Sequence, residues 1–163
     1  MSKINNKLED FAFDILVDND MLKVPVDLIA LANNNNIKVY KKELPQGISG
    51  AIRYSDELDT FQILISEDEP YNRKRFTLAH ELAHYFLEKD KLQLEKNIHF
   101  DTKYRRISDK EEIDVDYLAG ALLMNKTIIK ELYDINPSVK ILAKLFRVSE
   151  SAMFVRLKTL GLK

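Results

Sequence analysis

Residues 37–66 hold three short β-rich runs, IKVY (37–40), AIRY (51–54) and FQILIS (61–66), parted by stretches containing PQGISG and SDELD. Both intervening stretches carry turn residues, so the spacing predicts a small antiparallel meander. Outside this block the period changes. KLEDFAFDILV (7–17) and PVDLIALANNN (25–35) place apolar residues at helical spacing, Pro25 suits a first helical turn, and NNNN (33–36) supplies a stop. Pro70 ends the sheet, and a further helix begins between Arg73 and Phe76. Helical spacing returns over DKEEIDVDYLAGALLM (109–124), where the small Ala119, Gly120 and Ala121 would admit another backbone. A last pair, SVKILAKLF and ESAMFVRLKTL, is joined by RVS, with Ser149 placed to cap its second helix and Gly161 to end it. Between Lys89 and Arg106 no period holds, which reads as a loop.

Strands gathered in one block with helices on both sides predict an α+β fold. The chain has 163 residues, enough for one domain with a real core. We therefore expect a single domain over 1–163, divided into N-terminal helices (1–36), a small sheet (37–66), central helices (73–125) and a helix-turn-helix-like pair (137–163). Acidic residues interrupt the apolar positions of MSKINNKLEDFAFDILVDND, so no signal peptide is expected there. No apolar run approaches the roughly 20 residues of a membrane span. The expected location is the cytoplasm. With no cysteine in the chain, any metal must be held by His, Asp or Glu.

The segment RKRFTLAHELAHYFLEKD (73–90) contains two of the three histidines, four residues apart. Spacing of i and i+4 sends His80 and His84 out on one helical face, where both imidazoles can share one ion. Glu81 is rotated by about 100° from His80, beside that ion without having to bind it, as a general base requires. Phe76, Leu78, Leu82, Phe86 and Leu87 would bury the helix and dry the site. Two histidines leave zinc underligated, so a third ligand must come from elsewhere. His99, Glu111, Glu112, Asp114 and Asp116 are the candidates. Asp114 shares a helical face with Leu118 and Ala121, and a helix packed through its small residues would point Asp114 at the ion. Its position also suits a first-turn acid favoured by the helix dipole.

RFTLAHELAHYFL, followed by EIDVDYLAGALLM, resembles the ImmA/IrrE family of metallopeptidases, whose hallmark begins R-F-T-x-A-H-E-x-x-H. The similarity runs back through PVDLIALANNNNIKVY, ISGAIRY and ILIS and forward through LAKLFRVSESAMFVRLKTLGL. The resemblance implies a zincin-type helix with His80 and His84 as zinc ligands, Glu81 as catalytic glutamate and Asp114 at the acidic third ligand. Asp114 stands where the family commonly has glutamate, Asp116 where it has asparagine, Asn125 where it has proline and Ala83 where it has glycine. Several members, encoded in bacteria and their mobile elements, cleave a cognate helix-turn-helix repressor. The function this implies is a zinc-dependent endopeptidase of regulatory type whose substrate is such a repressor.

Two other readings compete. The net charge of −1 excludes a surface built wholly for nucleic acid. Yet residues 137–163 carry six basic side chains against Glu150 alone, and their form is that of a helix-turn-helix. A DNA-reading helix presents base-contacting side chains at its N-terminus, whereas this one opens SESAMF, which favours a structural or substrate-docking role. The second alternative is a protein-interaction regulator whose metal site is inert, and retention of Glu81 speaks against it. His99, Asp101, Tyr104, Arg105 and Arg106 read as solvated loop residues, with donation to an oxyanion as the alternative. FQILIS could hold an extended substrate by strand addition.

Overall fold

The computed structural model describes residues 3–95, 98–102 and 110–163. In chain order the described elements are α1 (Lys3–Asp18), α2 (Leu28–Asn34), β1 (Ile37–Lys42), β2 (Ile48–Ser55), β3 (Thr60–Ser66), α3 (Tyr71–Glu95), β4 (His99–Thr102), α4 (Lys110–Leu123), α5 (Lys126–Ile135), α6 (Val139–Phe146) and α7 (Glu150–Thr159). The fold is α+β. Among the described residues no helix is long and apolar enough to cross a membrane. The chain packs as two compact units, one of residues 28–116, the other of residues 1–27 and 117–163.

The sheet in the first unit is mixed, not the expected antiparallel meander. Its order is β1-β3-β2-β4, with β3 parallel to β1 and antiparallel to β2. Composition explains the swap. FQILIS is apolar almost throughout and β3 is buried along nearly its whole length, as a strand covered on both faces must be. β1 carries Lys38, Lys41 and Lys42 and takes an edge, where lysine discourages pairing with other chains. Part of the supposed loop after Lys89 is ordered: α3 continues to Glu95, and β4 pairs antiparallel with β2, Ile52 opposite His99 and Ala51 opposite Phe100. Four residues are too few to show a period, so β4 left no sequence signal.

α3 lies on β2. Gly50 makes that approach possible, because a Cβ there would fall 2.5 Å from Thr77 Cγ2 and 3.0 Å from the Leu64 carbonyl oxygen. The core of this unit includes Leu31, Ile37, Ile52, Ile63 and Leu82. α2 starts at Leu28, after a cis Val24–Pro25 bond, so Pro25 stands ahead of the helix.

The second unit is built on Leu16, Leu118, Leu122, Leu142, Phe146 and Leu157. A buried ion pair crosses it: Arg156 Nη1 and Nη2 donate to Glu9 Oε1 and Oε2 at 2.6 and 2.9 Å. Arg156 Nε donates to the Met124 carbonyl at 2.9 Å, and the Tyr117 hydroxyl donates to Glu9 Oε1 at 2.7 Å. Burial first, and the Glu9 carboxylate second, push the Tyr117 hydroxyl up to about 12. α5 was not foreseen. Asn125 begins it, its Oδ1 accepting from the Thr127 amide at 3.0 Å.

The expected C-terminal pair is α6 and α7, capped by Ser138 and Ser149 and joined through Arg147 in the left-handed region. Gly161, at φ +72°, closes α7 with Leu162 N–H bonded to the Leu157 carbonyl, a Schellman arrangement. Gly120 does not mark a close approach, since a Cβ there would meet nothing within 4 Å.

Candidate metal centre

His80 and His84 emerge from the middle of α3, 0% and 1% exposed, with their rings 4.7 Å apart and nearly perpendicular. Their Nε2 atoms lie 3.0 Å from one another. Glu112, in the first turn of α4, completes the group: its Oε2 is 3.6 Å from His80 Nε2 and its Oε1 is 3.5 Å from His84 Nε2. These three side chains form the one cluster of potential metal ligands among the described residues.

The opposite nitrogens are also engaged. His80 Nδ1 is 2.9 Å from Asp116 Oδ1, and His84 Nδ1 is 2.7 Å from Glu88 Oε2. An ionised carboxylate only accepts, so each ring donates through Nδ1 and, when neutral, keeps a lone pair on Nε2. Two lone pairs and a carboxylate then face one small space. A cation relieves their repulsion, and four-coordinate zinc with bonds of about 2.0 Å sets its donors about 3.3 Å apart. The two nitrogens at 3.0 Å, and the Glu112 carboxylate at 3.5 and 3.6 Å from them through its two oxygens, are near that spacing.

Glu81 follows His80 directly and is 0% exposed. Its Oε1 would lie 3.3 Å from a Cβ at position 50, so the missing side chain of Gly50 leaves room beside this carboxylate. Thr77, one turn earlier, is fully buried, and its hydroxyl has no hydrogen-bond partner among the described residues.

Of the acidic ligands weighed from sequence, the fold brings Glu112 to the histidines and not Asp114. Asp114 instead borders a surface groove with Phe86, Leu87, Glu88, Lys91, Glu111 and Val115. Helical register is the cause: Asp114 is rotated by about 200° from Glu112, whereas Asp116, a full turn on, returns to the same side. The signal was present as two acids at i and i+4, matching the period of the two histidines. His99 and Asp101 belong to β4, and of these two residues the backbone alone is described; Tyr104, Arg105 and Arg106 lie outside the described residues. β3 is flanked by β1 and β2 and has no free edge for a substrate strand.

A solved structure described as "Mycobacterium tuberculosis transcriptional regulator" is similar to this chain, with a TM-score of 0.66 and 17% identity. The match covers 94% of this chain and 47% of that one, so the chain spans about half the length of that relative. At this identity the likeness shows the fold. A search of curated proteins found no match. The profile described as "Peptidase_M78: IrrE N-terminal-like domain" matches residues 32–158, a span that contains the whole histidine centre. The chain belongs to this IrrE N-terminal-like peptidase family.

Proposed function

We propose that the chain is a zinc-dependent endopeptidase of regulatory type, with His80, His84 and Glu112 as metal ligands. The observation that carries this reading is the convergence of two Nδ1-tethered imidazoles and one carboxylate beside a buried Glu81. When bound, zinc would acidify water and polarise a peptide carbonyl. Glu81 takes the proton from the attacking water as its oxygen bonds to the carbonyl carbon. It then delivers that proton to the amine nitrogen as the C–N bond breaks. Glu81 is fully buried, as are its helix neighbours Leu78 and Leu82, so both transfers take place away from bulk water. With β3 interior, the edges of the described sheet are β1 and β4, and β4 is the one we assign to an extended substrate, because it pairs with β2 at Gly50, the residue beside Glu81. The proposed substrate is a helix-turn-helix repressor, by the family resemblance.

Glu81→Gln keeps the ligands and removes the base. It should retain about one zinc per chain and lose cleavage of a candidate repressor by ~10²-fold or more. Metal analysis after gel filtration, with mass spectrometry of the cleavage products, makes the comparison. Wild-type-like cleavage by this variant overturns the mechanism.

A second reading, a DNA-binding regulator, is favoured by the α6–α7 form and by the related solved structure's description as a transcriptional regulator. Against it, Arg156 is buried on Glu9, which removes one of the tail's six cations from the surface. α7 opens with the exposed Glu150 and also exposes Phe154 and Val155. Tight, sequence-selective duplex binding abolished by reversing the charges of Lys140, Lys144 and Lys158 would establish this second reading.

A further inference from the structure

The two carboxylates behind the imidazoles are not ligands in the geometry described. Each meets its histidine at Nδ1, across the ring from the Nε2 atoms that face Glu112. We infer that Glu88 and Asp116 are positioning residues of the centre, each holding one imidazole as its Nδ1–H tautomer and so aiming both Nε2 lone pairs at the metal. This rests on the metallopeptidase reading for its purpose, though the tautomer assignment can be tested without metal.

Three observations support the assignment. First, both histidines are held in the same way from different elements, His84 by the next turn of α3 and His80 by α4. A chance surface contact would not repeat at both rings. Second, an accepting carboxylate makes its imidazole a stronger donor to a metal, because negative charge at Nδ1–H raises electron density at Nε2. Third, Glu88 is itself supported: Lys91 Nζ is 3.9 Å from Glu88 Oε1 and 3.2 Å from Glu111 Oε2, and Glu111 adjoins Glu112. His84 is thus connected through Glu88 and Lys91 to the turn that supplies the third ligand.

The two residues are not equal. The Glu88 side chain is 15% exposed and its contact is 2.7 Å, whereas Asp116 is 46% exposed with a contact of 2.9 Å. Water competes more for Asp116 and screens its charge, so Glu88 has the larger effect.

The test uses the full chain and zinc alone, titrated against a chromophoric chelator, together with long-range ¹H–¹⁵N NMR of the metal-free histidines. Glu88→Ala should weaken zinc binding by about 10–100-fold and Asp116→Ala by less. Glu88→Gln, which keeps an acceptor and the shape but not the charge, should fall between Glu88→Ala and wild type, and it carries the test if the alanine variant does not fold. Asp90→Ala, an exposed acid on the same helix, should bind like wild type. In the metal-free spectra, Glu88→Ala should shift only His84 away from the Nδ1–H tautomer, and Asp116→Ala only His80. Unchanged zinc affinity in both Glu88 variants, or an unchanged His84 tautomer in Glu88→Ala, overturns the proposal. A wild-type chain that binds no zinc overturns the peptidase reading instead, and the metal-free spectra still decide the tautomers.

Discussion

Glu112 and Asp116 stand one turn apart on α4, and that turn separates the atoms they meet. Glu112 faces both Nε2 atoms, while Asp116 reaches behind one ring to its Nδ1. Asp114, between them in sequence, looks onto a different surface. Glu112→Ala should therefore lose most bound zinc, because two histidines alone leave the ion underligated, and Asp114→Ala should keep about one zinc per chain. Metal content after gel filtration distinguishes them, and zinc lost from Asp114→Ala but not from Glu112→Ala would reverse the assignment. His80, Glu81 and His84 were legible in the sequence because one helix fixes their relative angles. Which carboxylate the fold brings to them was not: Glu112 sits on another helix, and a step of two residues turns a side chain by about 200°. Glu88 was legible in principle, continuing the row of His80 and His84 at the same four-residue step.

At the level of elements, the sheet and α3 meet at a point set by one missing side chain. Gly50→Ala would place a methyl against Thr77 and the Leu64 carbonyl, and the latter cannot rotate away. We expect a loss of about 2–3 kcal/mol, or roughly 5–10 °C in Tm. Gly120→Ala, in a helix with open space around it, should instead gain about 0.5–1 kcal/mol. Thermal unfolding of both variants tests the contrast, and equal effects would refute it. The strands themselves were legible from their β-rich runs. Their order was not, because turn-like connections suggest neighbours in sequence, whereas burial assigns the centre to the most apolar strand. The period of α3 was legible, but its far end was hidden by the polar EKDKLQLE.

For the molecule as a whole, the longest-range interaction described in the unit of residues 1–27 and 117–163 is the buried Glu9–Arg156 pair. Arg156→Met would leave Glu9 buried without its cation, at a cost of about 3–5 kcal/mol. Adding Glu9→Leu should recover much of that loss, since removing both charges also removes the desolvation penalty. Urea unfolding of the single and double variants measures it; a double variant as weak as Arg156→Met would show that the pair is more than a neutralised charge. Nothing in the sequence linked these two residues: in the tail Arg156 counted as one more surface cation, and its partner lies 147 positions away.

That separation has a consequence for synthesis. Residues 28–116 are contiguous, so every strand and helix turn of that unit can emerge before translation reaches the C-terminal helices. α1 cannot complete its own unit so early, because Glu9 leaves the ribosome 147 residues ahead of Arg156. At about 5–20 residues per second, that is an interval of roughly 7–30 s. Until the last helices of that unit have emerged, the buried Leu8, Ala12, Ile15 and Leu16 stripe of α1 is without part of the unit to which it belongs. A nascent chain stalled before residue 117, with none of the rest of this unit made, should therefore present this stripe to a chaperone, and completion of the unit should withdraw it.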